Sequence, residues 1–316
     1  MTDNNSSSRN SPLYLSNDDV AKLVNMKDAI RSVRAVFEQQ GRKLAEPISR
    51  QRIRVAETGF QIMGGGMSDP PVFGAKVYTT QADRTARFWF VLLSHSGDLL
   101  SIMEAERLGE LRTGAASAVA TDLLADVGAT EMTIIGSGSQ ARSQVEGVCQ
   151  VRSIERVRAW SPTRHHLDSF CRNVSTDFGI PAVPCDDAQD AARDAPIICT
   201  ATTSSDPVLR GEWLSQHTHV NLVGSNNFGR READAELFAV SRIVTTDHVP
   251  QAKVESGDLA AAVREGAISW DDVLEVGDLL ASNVPGPERL APSVFVSQGL
   301  GIWDLALAAT VYDEAR

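Results

Sequence analysis

Apolar residues recur at helical spacing near the start of the chain, where Ile30, Val33, Val36 and Phe37 line one face of a run opened by Asn25 and stopped by Gly41. Just before it, Leu13 to Leu15 read as a short strand. Ser16, with Asp19 three residues on, has the spacing of a capping box that opens a helix towards Val24. From Pro47 to about Val91 the pattern changes to short strands. Arg50 to Val55, Phe60 to Met63, Gly74 to Tyr78 and Phe88 to Leu93 predict an antiparallel platform, with a loop from Gly64 to Pro71 and a turn from Ser94 to Asp98. A long helix from Ala105 to Leu124, alanine-rich after Arg112, leads out of it.

Beyond Thr130 strand and helix alternate regularly. Residues 130–135, 156–160, 195–202, 219–224 and 242–246 read as strands, and a helix is expected from His165 to Phe178. Such alternation implies a parallel, doubly wound sheet, with a ligand over the carboxyl ends of its strands. Its first strand ends in Gly136, Ser137, Gly138, Ser139, Gln140 and Ala141, directly before a helix-compatible run. Gly136 permits the turn, Gly138 lets backbone approach a pyrophosphate, and Ala141 lets the helix pack on the strand. The unpaired N–H groups of the helix start would face the phosphates.

The end of the second strand bears on which dinucleotide is held. A carboxylate about twenty residues past the glycines would bond the ribose hydroxyls of NAD. Here Trp160 is followed by Ser161, Pro162, Thr163 and Arg164. Two hydroxyls and a guanidinium without an acid favour NADP(H), with NAD(H) still possible; the plainer alternative is a polar turn with a solvated arginine.

Length and charge narrow the picture further. A chain of 316 residues exceeds one ordinary core, so two domains are expected. A net charge of -11 argues against nucleic acid or an anionic membrane as partner, and no run is long and apolar enough to span a bilayer. Cys149, Cys171, Cys185 and Cys199 lack metal-site spacing, which fits a reduced cytoplasm and no metal. The Asn/Ser-rich stretch Met1 to Ser11 reads as disordered.

Several separate segments together resemble the ornithine cyclodeaminase/mu-crystallin family: 110–120, 136–142, 199–204, 221–226 with 230–234, 255–259 and 295–301. The resemblance runs from about Leu15 to Arg316. It implies an α/β fold in which a Rossmann-type doubly wound sheet, residues 126–299, is inserted into an α+β substrate-binding and dimerisation domain, residues 1–125 with the C-terminal helix 300–316. It also implies a homodimer, and three cations around a substrate carboxylate, matched here by Arg50, Lys76 and Arg112. Arginine's fork suits a bidentate carboxylate anchor, and a lysine near the reacting carbon can stabilise charge or pass a proton. Arg52 and Arg54 share the strand face of Arg50, so a short misalignment would exchange them.

The resemblance breaks where cyclodeaminases carry a proton-accepting aspartate. Asn226 stands at that position, and a neutral amide cannot act as a general base. Val296 stands where the family usually has a lysine. The expected activity is therefore NAD(P)H-dependent reduction of a small α-imino acid, or equivalently an α-amino acid dehydrogenase. Lys76 and Asn226 are the catalytic candidates, the former polarising or protonating the imine nitrogen and the latter positioning it. Gly136, Gly138, Ser139 and Gln140 are assigned to the pyrophosphate, and Ser161, Thr163 and Arg164 to the adenosine side. Thr200, Ala201, Thr202, Val223, Ser297 and Gly299 are assigned nearer the nicotinamide. The substrate side chain is expected to depend on the loop Gly64 to Asp69. A cyclodeaminase-type lyase recycling its NAD, and a non-catalytic NADP(H)-dependent binder of a small carboxylated ligand, are the competing readings.

Overall fold

The computed structural model describes residues 11–81, 86–282 and 292–316. The segment 1–10, expected to be disordered, and part of the connection after Lys76 lie outside them. The chain opens with β1 (Leu13–Leu15), α1 (Asn17–Leu23) and α2 (Met26–Gly41). Both helices start on full capping boxes, Ser16 with Asp19 and Asn25 with Asp28, which satisfy N–H groups that a helix start leaves orphaned. Five longer strands follow: β2 (Ala45–Val55), β3 (Thr58–Ser68), β4 (Pro71–Thr80), β5 (Ala86–Ser94) and β6 (Leu99–Glu104). They pair antiparallel in sequence order, and β1 adds itself in parallel beside β6.

The loop expected from Gly64 to Pro71 is instead strand. β3 runs unbroken through Gly64, Gly65 and Gly66, and the reversal falls at Asp69–Pro70. The reason is packing. Helix α11 (Gly301–Glu314) lies directly on this strand, so that a Cβ built on Gly65 would come within 2.5 Å of Ile302, and one on Gly301 within 2.4 Å of the Gly64 nitrogen. The glycines mark a close helix–strand contact rather than a turn. Trp303 of α11 meets Phe37 of α2 with ring centroids 5.2 Å apart, both fully buried. Burying each such ring contributes about 1.5–3 kcal/mol.

α3 (Glu106–Leu124) carries the chain to the second sheet. There the elements are β7 (Glu131–Ile135), α4 (Ser139–Val151), β8 (Arg156–Trp160), α5 (Arg164–Phe178), β9 (Ala182–Pro184), α6 (Ala188–Ala192), β10 (Ile197–Thr200) and β11 (His219–Leu222). They continue with α7 (Ala235–Val240), β12 (Ile243–Thr246), α8 (Val249–Glu255), α9 (Gly257–Arg264), β13 (Val273–Glu275), α10 (Val276–Ala281) and β14 (Ser293–Val296). All eight strands are parallel, in the order β13-β12-β14-β11-β10-β7-β8-β9. β14, β9 and β13 were not anticipated from the residue pattern. From β7 the chain winds outward through β8 and β9, then returns to lay β10 on β7's other side. The switch point therefore falls between Gly136 and Ala201, at the carboxyl ends where doubly wound sheets hold ligands.

The two sheets meet where α3 crosses α4. A Cβ on Gly147 would stand 2.4 Å from the Gly114 carbonyl oxygen, so the backbones touch. This crossing brings Arg112 and Thr113 up to the first turn of α4. Among the described residues, no helix is long and apolar enough to cross a membrane.

Candidate active site

A cavity of about 230 Å³ lies where β2, β3, β4 and β5, α3, the start of α4 and the loops after β11 and β14 converge. Arg50, Lys76, Arg112, Gln140, Val223, Asn226, Ser297 and Gly299, eight residues singled out from the sequence, all line it, together with Gln298, Met63, Tyr78, Phe88 and Thr113.

Its cations are buried rather than solvated. Arg50 is 7 % exposed; its Nη1 donates to Glu255 Oε2 at 2.7 Å and its Nη2 to the Gln298 carbonyl oxygen at 3.0 Å. A register shift between Ile48 and Gln51 accompanies this inward turn. Arg52 shares Glu255, through Oε1 at 2.7 Å, and donates to the Asn226 carbonyl oxygen at 3.0 Å; Arg54 is exposed beside Glu57. Lys76 is 3 % exposed, with Nζ 2.9 Å from Asp304 Oδ1 and 4.9 Å from the centre of the Phe88 ring. Arg112 Nε stands 3.2 Å from Asp304 Oδ2. The Arg112 fork lies against Gly299, whose φ of +78° and missing side chain let it approach: a Cβ there would come within 2.7 Å of Nη1.

The three cavity cations, with the partly exposed Arg52 outside the cavity wall, thus share two buried carboxylates, which leaves an excess of positive charge in a partly dry cavity. Such a site calls for an anion. Burial, the largest influence, holds the Lys76 amine below the usual lysine range; Asp304 pulls it back up, while Arg112 and Arg50 lower it further. A lysine so placed gives up a proton more readily than one in water.

Glu255 and Asp304, which anchor these cations, were given no role from the sequence. Asp304 did carry a signal, being the one acid before Asp313 in an otherwise apolar α11. Two further buried acids hold the surrounding loops. Asp247 Oδ2 accepts from the backbone N–H groups of both Gln298 and Gly299 at 2.7 Å; burial pushes its carboxyl up to about 6 against these bonds. Glu232 accepts from Thr202 N–H at 2.7 Å and Gly224 N–H at 2.6 Å, tying the ends of β10 and β11 together. Burial and then Asp258 push its carboxyl up to about 7.

Beside the cavity, a groove is lined by Ser137, Gly138, Ser139, Arg142, His166 and residues of α5. Gly136 has φ +119°, and a Cβ on it would meet the Ala201 carbonyl oxygen at 2.5 Å. Gly138 caps α4 without a side-chain hydrogen bond, and a Cβ there would meet nothing within 4 Å. Open space before free N–H groups of a thirteen-residue helix fits a pyrophosphate. Ser161 is bonded to Ser137 through its hydroxyl at 3.0 Å, and Thr163 stands at the N-cap position of α5 without a capping bond from its side chain. Contrary to the expectation of a guanidinium without an acid, Arg164 pairs with Asp168 at 3.0 Å, one turn along α5, and with Asp186 at 3.5 Å, which the fold brings up from beyond the helix. Thr200, Ala201 and Thr202 lie at the switch point, outside the cavity wall; Ala201 N–H donates to the Ile135 carbonyl oxygen at 2.8 Å. Residues Gly64 to Asp69 lie in or just past β3 under α11 and do not line the cavity, so the side-chain selectivity assigned to them does not stand.

Comparison with known proteins points the same way. A model of the ornithine cyclodeaminase/mu-crystallin family matches residues 11–316. The chain is 31% identical to a Delta(1)-pyrroline-2-carboxylate reductase of Bacillus cereus over 314 residues, 96% of each protein. Among solved structures, it superposes with a TM-score of 0.91 and 30% identity on the Thermococcus litoralis Delta(1)-pyrroline-2-carboxylate reductase in complex with NADH and L-proline, covering 96% of this chain and 97% of that one. An archaeal alanine dehydrogenase dimer with bound NAD superposes with a TM-score of 0.89 and 29% identity, covering 96% of both.

Proposed function

The chain belongs to the ornithine cyclodeaminase/mu-crystallin family, and from that premise we propose that it is an NAD(P)H-dependent oxidoreductase that reduces the C=N bond of a small α-imino acid. The observation that carries this reading is the convergence of Arg50, Lys76 and Arg112 on one cavity adjoining the Gly136–Gly138 turn. Arg112 and Arg50 hold the substrate carboxylate, their forks being fixed by Asp304, Glu255 and the Gln298 carbonyl oxygen before the ligand arrives. Lys76 passes its proton to the imine nitrogen, helped by the burial that makes its neutral form accessible. Asn226 bonds and positions that nitrogen. When bound, the reduced nicotinamide supplies a hydride to the imine carbon. Met63, Phe88 and Val223 keep water from the reacting centre.

Gly136, Gly138, Ser139 and Gln140 hold the pyrophosphate in this reading, Ser161, Thr163 and Arg164 the adenosine end, and Thr200, Ala201, Thr202, Val223, Ser297 and Gly299 the approach to the nicotinamide. NADP(H) is preferred over NAD(H). Support comes from the hydroxyls of Ser161 and Thr163 and the guanidinium of Arg164. The ion pairs of Arg164 are exposed, worth about 0–1 kcal/mol each, and a 2′-phosphate can displace them. Residues 1–125 with 300–316 form a substrate-binding and dimerisation domain, and 126–299 the nucleotide-binding one. A homodimer is supported by the dimeric archaeal relative and by Ile48, Ile53, Val55, Phe60, Ile62 and Phe73, left exposed on β2, β3 and β4. The four free thiols suit the cytoplasm.

The test is to titrate the full chain with NADPH and NADH by fluorescence, then to follow cofactor oxidation with 2-oxo acids plus ammonia or methylamine and with cyclic imines. Turnover with loss of reduced cofactor supports the reading. Ammonia release from a diamino acid without net cofactor oxidation, or cofactor binding with no turnover at all, defeats it.

A further inference from the structure

Gln298 sits in the wall of the cavity at 2 % exposure, and neither its Oε1 nor its Nε2 has a hydrogen-bond partner among the described residues. Its backbone leaves it little freedom to find one. The N–H groups of Gln298 and Gly299 are both held by Asp247 at 2.7 Å, and the Gln298 carbonyl oxygen accepts from Arg50 at 3.0 Å. The side chain is thus rooted beside the carboxylate anchor, inside a space it shares with Met63, Tyr78, Phe88 and Val223. A leucine or methionine of similar volume would fill that space without burying an unmet donor and acceptor. At about 230 Å³ the cavity is smaller than most ligand pockets, and a carboxylate occupies part of it.

We propose that Gln298 determines specificity, selecting α-imino acids whose short side chain carries a hydroxyl or carbonyl oxygen over those with an alkyl side chain of the same length. This rests on the imine-reductase reading above. The amide of Gln298 donates to, or accepts from, that oxygen once the Arg50 and Arg112 forks hold the carboxylate. A site with a buried amide discriminates against a ligand that cannot pair with it more sharply than an apolar wall discriminates against a hydroxyl.

The experiment compares isosteric pairs on the full chain. 3-Hydroxypyruvate is set against 2-oxobutyrate, and 4-hydroxy-2-oxobutyrate against 2-oxovalerate, each with ammonia and reduced cofactor. The expected result is a kcat/KM larger for the oxygen-bearing member by about 10- to 100-fold. In Gln298→Met that ratio falls to near one or inverts, while kcat/KM for the alkyl member is kept or raised. A wild-type preference for the alkyl member overturns the inference, as does an equal loss on both members in Q298M. Weaker cofactor binding in Q298M with an unchanged substrate ratio also overturns it, since the amide would then serve the nicotinamide. If no imine turns over, the reductase reading fails separately. The dissociation constants of L-serine and L-2-aminobutyrate, and of L-homoserine and L-norvaline, measured by calorimetry with cofactor present, then carry the same comparison: tighter binding of the hydroxylated members supports the assignment, and equal or weaker binding refutes it.

Discussion

Lys76 Nζ stands 2.9 Å from Asp304 Oδ1, and the two side chains are 3 % and 0 % exposed, so the cation that faces the cavity is balanced by an acid that never meets solvent. Asp304 also neighbours Arg112 at 3.2 Å, which makes one carboxylate responsible for two of the three cations that line the cavity.

Replacing that acid exposes the dependence. Asp304→Asn leaves Lys76 and Arg112 buried without counter-charge, and loss of a buried partner destabilises by about 3–5 kcal/mol. It also removes the one influence that raises the Lys76 amine. The alkaline limb of the kcat/KM profile, where Lys76 loses its proton, then moves to lower pH than in the parent. Denaturant unfolding and a pH–rate series check both halves; an unmoved limb with a lowered stability would remove Lys76 as the proton donor.

Arg112→Ala deletes the fork that Gly299 admits to the cavity. A charge-assisted pair is worth about 1.5–3 kcal/mol, so KM for the imino acid should rise roughly 10- to 150-fold. The dissociation constant of the cofactor should stay within about twofold. Equal loss on both would show that Arg112 supports the fold rather than the carboxylate, and Arg112→Lys, a point charge without a fork, should recover only part of the affinity.

Arg164→Ala addresses the dinucleotide. NADPH binding should weaken by about tenfold while NADH binding stays the same or tightens slightly. Asp168→Asn should act oppositely on NADPH by freeing the guanidinium. Fluorescence titrations of both nucleotides on each variant decide, and parallel changes would discard the NADP assignment.

The pH dependence of stability has a defined contribution from Asp247. Its folded carboxyl is raised to about 6 from an ordinary value of 3.8, so between those values the native state binds more protons than the unfolded chain. The contribution favours folding at the acid end of that window and is lost as pH rises through about 6. Comparing unfolding free energies of the parent and Asp247→Asn from pH 4 to pH 7 should show a difference that changes by on the order of 2–3 kcal/mol. Glu232, raised to about 7, is present in both proteins and cancels. The variant should also bind substrate more weakly, because the Asn amide cannot accept every N–H that the carboxylate does.

Much of this was legible in the residues because the signals are local. The capping residues Ser16 and Asn25, the Gly136–Gly138 turn and the strand–helix alternation all act within a few positions of themselves. Arg50 could not be separated from Arg52 by alternation alone, and Glu255 holds both; the register shift after Ile48 and the Gln298 carbonyl oxygen, 248 residues away, mark Arg50 as the one that turns inward. The Gly64–Gly66 run was misread for a related reason. Glycine clusters usually mark turns, and only the later arrival of α11 explains why a strand here must lack side chains. Of the acids near Arg164, Asp186 lies beyond a whole helix and is not legible locally, whereas Asp168 follows from the i,i+4 spacing on the expected helix.

The pairing of Lys76 with Asp304 spans 228 residues. During synthesis from the ribosome, the lysine waits without its partner until α11 has emerged and folded back on β3. A chain without α11 lacks both the counter-charge of Lys76 and the apolar face that covers β3, so the affinity for a small carboxylate becomes a readout of whether these two distant segments of the polypeptide have met.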